Sequence, residues 1–337
     1  MIGLDELQLA ARNHALPLEI LREPITPVGL HYLLIHFDIP AVDAASWRLH
    51  VGDRAYSLDE LRSRERRTIP VTFECAGNGR ALMGDGRAPS QPWLLEAVGT
   101  AEWTGTALAP LLYESGIGDS SEFVFTGLDA GYQGGVEHAY ERSLTRDEAL
   151  DDDVLLVDEM NGSPLLPQHG YPLRLVVPGW YGMTNVKWLV RIEARSEPFA
   201  GWQQQEAYKI DGVPVTRMLP RSLLVPPGIP DFLTRERFVA AGRVPLTGRA
   251  WSGWAPVERV EVSDDDGETW ADAELDEPLG EHAWRGWRFV WDAQPGRREL
   301  SCRATDAAGN VQPTTAAFNE GGYCNNAVQR IRVTVSR

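Results

Sequence analysis

Short apolar runs and polar punctuation alternate along the first two-thirds of the chain, with helical and strand-like periods interleaved. Asp5 to Arg12 reads as a helical stretch, followed by a proline-punctuated segment from Pro17 to Pro40. Ser46 to Val51 alternates as a strand does, and Ser57-Leu58-Asp59-Glu60-Leu61 has the form of a serine-capped helix start. Ile69 to Phe73 predicts a β-branched strand that runs straight into Glu74-Cys75-Ala76-Gly77-Asn78-Gly79-Arg80. A short helix is expected over Thr106 to Tyr113 and a strand over Glu122 to Thr126. Two further apolar strands, Pro172 to Val177 and Val186 to Ile192, flank the turn Pro178-Gly179-Trp180.

Between Pro214 and Pro230 the pattern changes. Five prolines there (Pro214, Pro220, Pro226, Pro227 and Pro230) exclude a helix or central strand and predict a boundary or an extended linker. Beyond it the chain reads as all-β. Val260-Glu261-Val262 and Thr269-Trp270 flank the hairpin signal Asp264-Asp265-Asp266-Gly267. Trp287 to Trp291, Leu300 to Ala304 and Ile331 to Val335 continue as short strands, the pattern of an immunoglobulin-like β-sandwich. At 337 residues the chain is long enough for two domains. The expected fold is α+β, with a mixed first domain over 1–222 and a sandwich over 223–337.

Composition narrows the function classes. With 48 acidic against 32 basic residues the net charge is −16, which disfavours nucleic acids and anionic membranes as partners. Twelve tryptophans argue against disorder. Three cysteines without a Cys-x-x-Cys pair argue against a disulfide scaffold, a structural zinc site, an iron–sulfur cluster and attached haem. Met1-Ile2-Gly3-Leu4-Asp5-Glu6 lacks the basic start of a secretory signal, and no 18 apolar residues run together. The expectation is a soluble, cytoplasmic protein.

Two segments carry chemistry. Cys75 ends an apolar strand before a small, flexible turn with Arg80 nearby, which suits a nucleophile, a soft-metal ligand or a buried structural thiol. The run from Met160 to Lys187 places His169, Arg174 and Lys187 among apolar strand residues, an arrangement that suits a held anion or charges at strand ends. No Gly-x-Ser-x-Gly elbow, Walker loop or His-Glu-x-x-His helix occurs. Asp151–Asp153 and Asp264–Asp266 read as a solvated loop and a turn, His14, His50, His138 and His282 as surface or capping residues, and Cys302 as core.

These segments together resemble the sulfite oxidase family of molybdenum enzymes. The likeness rests on Cys-Ala-Gly-Asn at 75–78, Phe-x-Gly-Leu-Asp at 125–129, Met-Asn-Gly at 160–162, His-Gly-Tyr-Pro-Leu-Arg at 169–174 and Val-Lys-Trp at 186–188. In the second domain it adds Ala-Trp-Ser-Gly at 250–253 and Asn-Val-Gln-Pro at 310–313. The resemblance implies a molybdopterin-binding domain, a dimerisation domain and oxygen-atom transfer with sulfite as the default substrate. It makes Cys75 the metal ligand and Tyr208 the active-site tyrosine. Tyr32, His36, Asp129, His169, Arg174, Asn185, Val186 and Lys187 become contacts of the molybdopterin cofactor, and Trp93 a neighbour of the metal. It further implies a homodimer. No haem is expected, since Cys-x-x-Cys-His is absent and a cytochrome domain has no room before residue 20, so electrons are expected to pass to a separate acceptor or to oxygen.

Three departures stand out. One extra residue separates Trp202 from Tyr208. Leu34 stands where sulfite-oxidising members carry an arginine, and Trp254-Ala255-Pro256-Val257 supplies no second arginine. Arg80, Arg217 and Arg249 are structural in expectation but stand as substitutes. Loss of two guanidinium groups predicts weaker sulfite binding and a pocket that prefers a neutral substrate.

Overall fold

The computed structural model describes residues 12–84 and 90–337. Apart from Arg12, which lies in a turn, the helix expected over Asp5 to Arg12 falls outside them. Contacts divide the chain into two units. One comprises 1–14, 32–69 and 101–216, the other 15–31, 70–100 and 217–337.

The first unit is α+β. Its larger sheet has the order β2-β1-β10-β5-β6, from Arg54–Tyr56 (β2), Leu49–Val51 (β1), Leu189–Arg195 (β10), Glu122–Gln133 (β5) and Val136–Thr145 (β6). A second sheet has the order β3-β4-β7-β8, with β9 paired to β7. Its strands are Arg67–Glu74 (β3), Val98–Ala107 (β4), Leu155–Met160 (β7), Ser163–Pro164 (β8) and Arg174–Val176 (β9). The unit boundaries fall within β3 and β4.

Helix α1 (Leu58–Arg62) starts as the sequence predicts. The Ser57 hydroxyl accepts from the Glu60 amide at 3.2 Å, and the Glu60 carboxylate accepts from the Ser57 amide at 2.7 Å. That reciprocal cap satisfies two amides the first turn leaves without helical partners. Leu58 and Leu61 then pack with Trp47, Leu49, Val51 and, from helix α2 (Leu108–Glu114), Leu108, Leu111 and Leu112. On β6 the residues Tyr140, Arg142 and Leu144 alternate onto one buried face.

Two expectations fail locally. The strand expected over Val186 to Ile192 begins only at Leu189, because Trp188 takes φ 49° and turns the chain out of the extended region. Val186 and Lys187 therefore lie in a loop, from which Val186 can present its backbone and Lys187 its side chain to a site. Within the proline-rich stretch, Arg221–Leu224 is a buried strand rather than linker, since the prolines flank it and leave its ladder amides intact.

The second unit carries the β-sandwich. A four-stranded sheet contains Arg221–Leu224, Gly242–Trp251, Arg285–Ala293 and Glu274–Leu275. A six-stranded sheet contains Ile229–Pro230, Arg237–Ala240, Ile331–Ser336, Gly296–Asp306, Val257–Ser263 and Ala271–Asp272. Val262 pairs with Ala271 across the predicted hairpin. Leu224, Trp287, Trp291, Cys302 and Val333 fill the core, where burial pushes the Cys302 thiol up to about 12. Among the described residues no helix is long and apolar enough to cross a membrane.

Candidate functional site

In the first unit, the loop before β10 and the end of β9 bring cationic groups into the interior. Arg174 is 5% exposed and donates to the carbonyls of His169 and Asn185, each at 3.1 Å. Its guanidinium also lies over the Trp103 ring, 4.8 Å from the centroid. Asn185 accepts from the Val177 amide at 2.7 Å, which fixes the chain between β9 and the loop. The Lys187 ammonium donates to the carbonyls of Leu34 at 2.8 Å and Gln168 at 3.3 Å.

Burial, and then the neighbouring Arg174, push Lys187 down to about 7, against the pull of Asp129. Burial also lowers Arg174 to about 10. Asp129 is raised to about 6 by burial against the pull of Lys187, and its buried Oδ1 has no hydrogen-bond partner. Half-buried Lys187 thus stands between the buried Arg174, which disfavours its charge, and Asp129, which favours it. Gly127 allows the close approach. A Cβ there would sit 2.6 Å from Asp129 Oδ1 and 2.7 Å from the Lys187 carbonyl.

Beside this cluster, Nε2 of His36 lies 2.6 Å from the Tyr208 hydroxyl. The His36 ring packs against Tyr140 at 4.8 Å, and the Tyr140 hydroxyl donates to the Met183 carbonyl at 2.6 Å. Burial, helped by Lys187, pushes His36 down to about 3, so the imidazole is neutral at ordinary pH. The segment before the tyrosine, Gln203–Ala207, is a π-helix, and the Tyr208 amide donates to the Gln203 carbonyl at 3.2 Å. A π-turn takes up one residue more than an α-turn. The extra residue noted between Trp202 and Tyr208 is absorbed there, and Tyr208 still meets His36.

Cys75 belongs to the second unit, where a tight turn holds it. Its amide donates to the Ala97 carbonyl and its carbonyl accepts from the Asn78 amide, both at 2.9 Å. Asn78 donates to Glu74 at 3.0 Å and to the Leu95 carbonyl at 3.1 Å, and accepts from the Ala97 amide at 3.1 Å. Glu74 is buried, paired with Arg221, and accepts from the Trp251 indole at 2.9 Å. Burial raises the Cys75 thiol, while Arg80, the Gly77 amide and the Trp93 indole act to lower it. A thiol raised by burial is a poor nucleophile but serves as a ligand once a metal displaces its proton. Arg80 donates to the Gly321 carbonyl at 2.8 Å and the Gln91 carbonyl at 2.9 Å, and lies 5.1 Å over the Tyr323 ring.

Two family descriptions match the chain, an oxidoreductase molybdopterin-binding domain over residues 36–203 and a Mo-co oxidoreductase dimerisation domain over residues 220–336. The sulfite oxidase of Gallus gallus is 36% identical over 93% of this chain and 74% of its own length. The mitochondrial sulfite oxidase of Homo sapiens is 35% identical over 95% of this chain. The chain belongs to the sulfite oxidase family. It spans 64% of the length of the human protein. The crystal structure of the sulfane dehydrogenase SoxCD from Paracoccus pantotrophus shares the fold, with a TM-score of 0.82 and 24% identity over 100% of this chain and 93% of that chain.

For a sulfite oxidase family member, the site residues expected from sequence fall into four groups. His36 and Tyr208 meet directly, while Asp129 and Lys187 interact within one cluster with Arg174, His169 and Asn185. Val186 is wholly buried and offers the site only its backbone, and Tyr32 is buried. Cys75 and Trp93 stand in the second unit. Sequence reasoning missed Tyr140 and Arg142, although the alternation along β6 placed both on its inner face. His138 was expected at the surface. It is half-buried on that face, and its ring stacks on Trp202 at 5.3 Å. Of the substitute arginines, Arg217 donates to the Gly253 carbonyl and Arg249 to the carbonyls of Leu21 and Arg22. Both are used in holding backbone.

The residues present fit a molybdenum–pterin cofactor. Buried Arg174 and half-buried Lys187 bring two cationic side chains to one loop, the donor set that suits a phosphate anion. The Thr184 hydroxyl, buried without a hydrogen-bond partner, adds a donor near the same loop.

Proposed function

We propose that the chain is a molybdenum–pterin oxidoreductase of the sulfite oxidase type that carries out two-electron oxygen-atom transfer. The observation that carries this reading is the placing of buried Arg174 and half-buried Lys187 in one cluster with His169 and Asn185, in a member of that family. Cys75 is the protein ligand to the metal. Lys187, Arg174, His169, Asn185, Asp129, His36, Tyr32 and the Val186 backbone hold the pterin and its phosphate, and Tyr208 is the catalytic hydroxyl. Residues 1–222 carry the cofactor part, and 223–337 carry dimerisation.

When bound, the cofactor supplies a two-electron acceptor and a transferable oxygen. The chain's residues then position and polarise. Lys187 and Arg174 offer charge-assisted donors to phosphate oxygens. Neutral His36 and the Tyr208 phenol share a hydrogen bond, and a turn of the hydroxyl lets it donate a hydrogen bond to a substrate or product oxygen instead. Sulfite is the substrate to test first. Sulfite and water give sulfate, two protons and two electrons, the electrons passing to a separate acceptor or to oxygen. A second reading, a neutral oxo substrate such as a sulfoxide, is favoured by Leu34 and by Arg80, two of whose nitrogens are occupied by backbone carbonyls.

The test is metal analysis of protein from a cofactor-competent host, combined with a sulfite-dependent acceptor assay. The expected result is about one molybdenum per chain, lost in Cys75→Ser while the fold is kept. Folded, metal-free wild-type protein overturns the reading, and molybdenum without sulfite turnover selects the neutral substrate. The homodimer and the cytoplasmic location belong to the same proposal, read by sedimentation and by cell fractionation.

A further inference from the structure

Arg142, on β6, is 1% exposed and has no carboxylate partner among the described residues. One terminal nitrogen donates to the Gln203 carbonyl at 2.8 Å and the other to the Val215 carbonyl at 3.3 Å, while Nε has no partner. A buried, unpaired guanidinium is costly unless its donors are committed to something the fold needs. Both acceptors belong to the chain that brackets Tyr208. The Gln203 carbonyl also receives the Tyr208 amide, closing the π-turn, and the Val215 amide donates to the Tyr208 carbonyl at 2.9 Å.

The rigid fork of Arg142 therefore ties together the residues before and after the tyrosine. A π-turn has poorer intrinsic geometry than an α-turn and persists where its surroundings hold it. Here the surroundings include Arg142, and the charge reaches the ring as well, because Tyr208 and Tyr140 are the groups that counter the effect of burial on Arg142.

We propose that Arg142 is a positioning residue for Tyr208, clamping the Gln203 and Val215 carbonyls so that the π-turn presents the phenol to His36. The proposal rests on the reading of Tyr208 as the catalytic hydroxyl. A clamp of this kind acts on the placement of one oxygen, and misplacement on the ångström scale costs up to about 100-fold in rate.

The test compares Arg142→Met, Arg142→Lys, Tyr208→Phe and the double variant Arg142→Met/Tyr208→Phe, each as full-length, molybdenum-loaded protein. Arg142→Met is expected to lower kcat roughly 10- to 100-fold with little change in KM. In the Tyr208→Phe background the same change is expected to cost almost nothing further, since the group being positioned is already gone. Arg142→Lys keeps the charge, reaches only one carbonyl and should fall between. It serves alone if the methionine variant does not fold. Additive losses, or an unchanged kcat, overturn the proposal.

Amide hydrogen exchange gives a readout independent of turnover. Faster exchange at Tyr208 and Val215 with an unshifted melting temperature supports the clamp, and unchanged exchange refutes it. If wild-type protein turns over no substrate, the functional reading fails, and exchange at those two amides still decides the clamp.

Discussion

The Tyr208 hydroxyl lies 2.6 Å from Nε2 of His36, a neutral imidazole whose pKa burial has pushed down to about 3. Removing that hydroxyl while keeping the ring isolates its role. Tyr208→Phe is expected to lower kcat by about 10²–10³, the usual effect of deleting one donor to a developing oxyanion. Steady-state kinetics checks this, and a kcat within a factor of two of wild type would remove Tyr208 from the machinery.

The same imidazole makes stability depend on acid. Its folded pKa lies below the unfolded value near 6.5, so the unfolded chain binds the extra proton first. Stability from this group is complete above 6.5 and is lost as pH falls toward 3, by up to about 1.4 kcal/mol per pH unit. Urea unfolding at pH 7 and pH 5 should differ by about 2 kcal/mol more in wild type than in His36→Gln. Equal pH dependence in the two proteins would sink the assignment.

Lys187 ties anion binding to pH in the opposite range. Lowered to about 7 in the absence of an anion, the amine must take up a proton when a phosphate arrives. Affinity for a phosphate-bearing pterin should fall about tenfold per pH unit above that value, until the pKa of the bound form is reached. Lys187→Met should bind weakly at every pH with this slope absent. Calorimetric titration in two buffers of different ionisation heat measures the proton uptake directly.

Much of the fold was legible because it rests on local rules. The Ser57 cap, the strand leading to Cys75 and the Val262–Ala271 hairpin follow from residues close in sequence. The strand at Val186 was misjudged because an apolar, β-branched segment carries no local mark of the left-handed turn at Trp188. Arg221–Leu224 was hidden by flanking prolines whose effect stops at the strand ends. At the site, His36 and Tyr208 became candidates through a resemblance carried by motifs, and Lys187 already through its place among apolar strand residues. Arg142 was not, because its partners are the carbonyls of Gln203 and Val215, and any residue supplies a carbonyl.

Leu34 offers a direct test of substrate class. Its carbonyl accepts from Lys187, an interaction that a change of side chain leaves in place. Leu34→Arg restores a guanidinium where sulfite-oxidising relatives carry one. A charged contact worth about 1.5–3 kcal/mol should lower the KM for sulfite roughly 10- to 100-fold. Turnover of a neutral sulfoxide should not improve. If sulfite KM is unmoved, an anionic substrate is not limited by this position.

Glu74 and Arg221 set the last test, because both are buried and their pair adjoins Cys75. Glu74 also accepts from Asn78 and Trp251, and Arg221 donates to the Asn325 carbonyl, so the carboxylate anchors the turn from several sides. Arg221→Met leaves a buried carboxylate without its cation, at an expected cost of about 3–5 kcal/mol in guanidinium unfolding. Adding Glu74→Gln removes the stranded charge and should recover part of that loss, since the single amide oxygen can accept from Trp251 or from Asn78 but not from both. The single variant should also lose molybdenum, because the thiol it supports sits on the next residue. A loss below about 1 kcal/mol would mean that solvent reaches the pair and that the Cys75 turn is held by Asn78 and the Ala97 backbone instead.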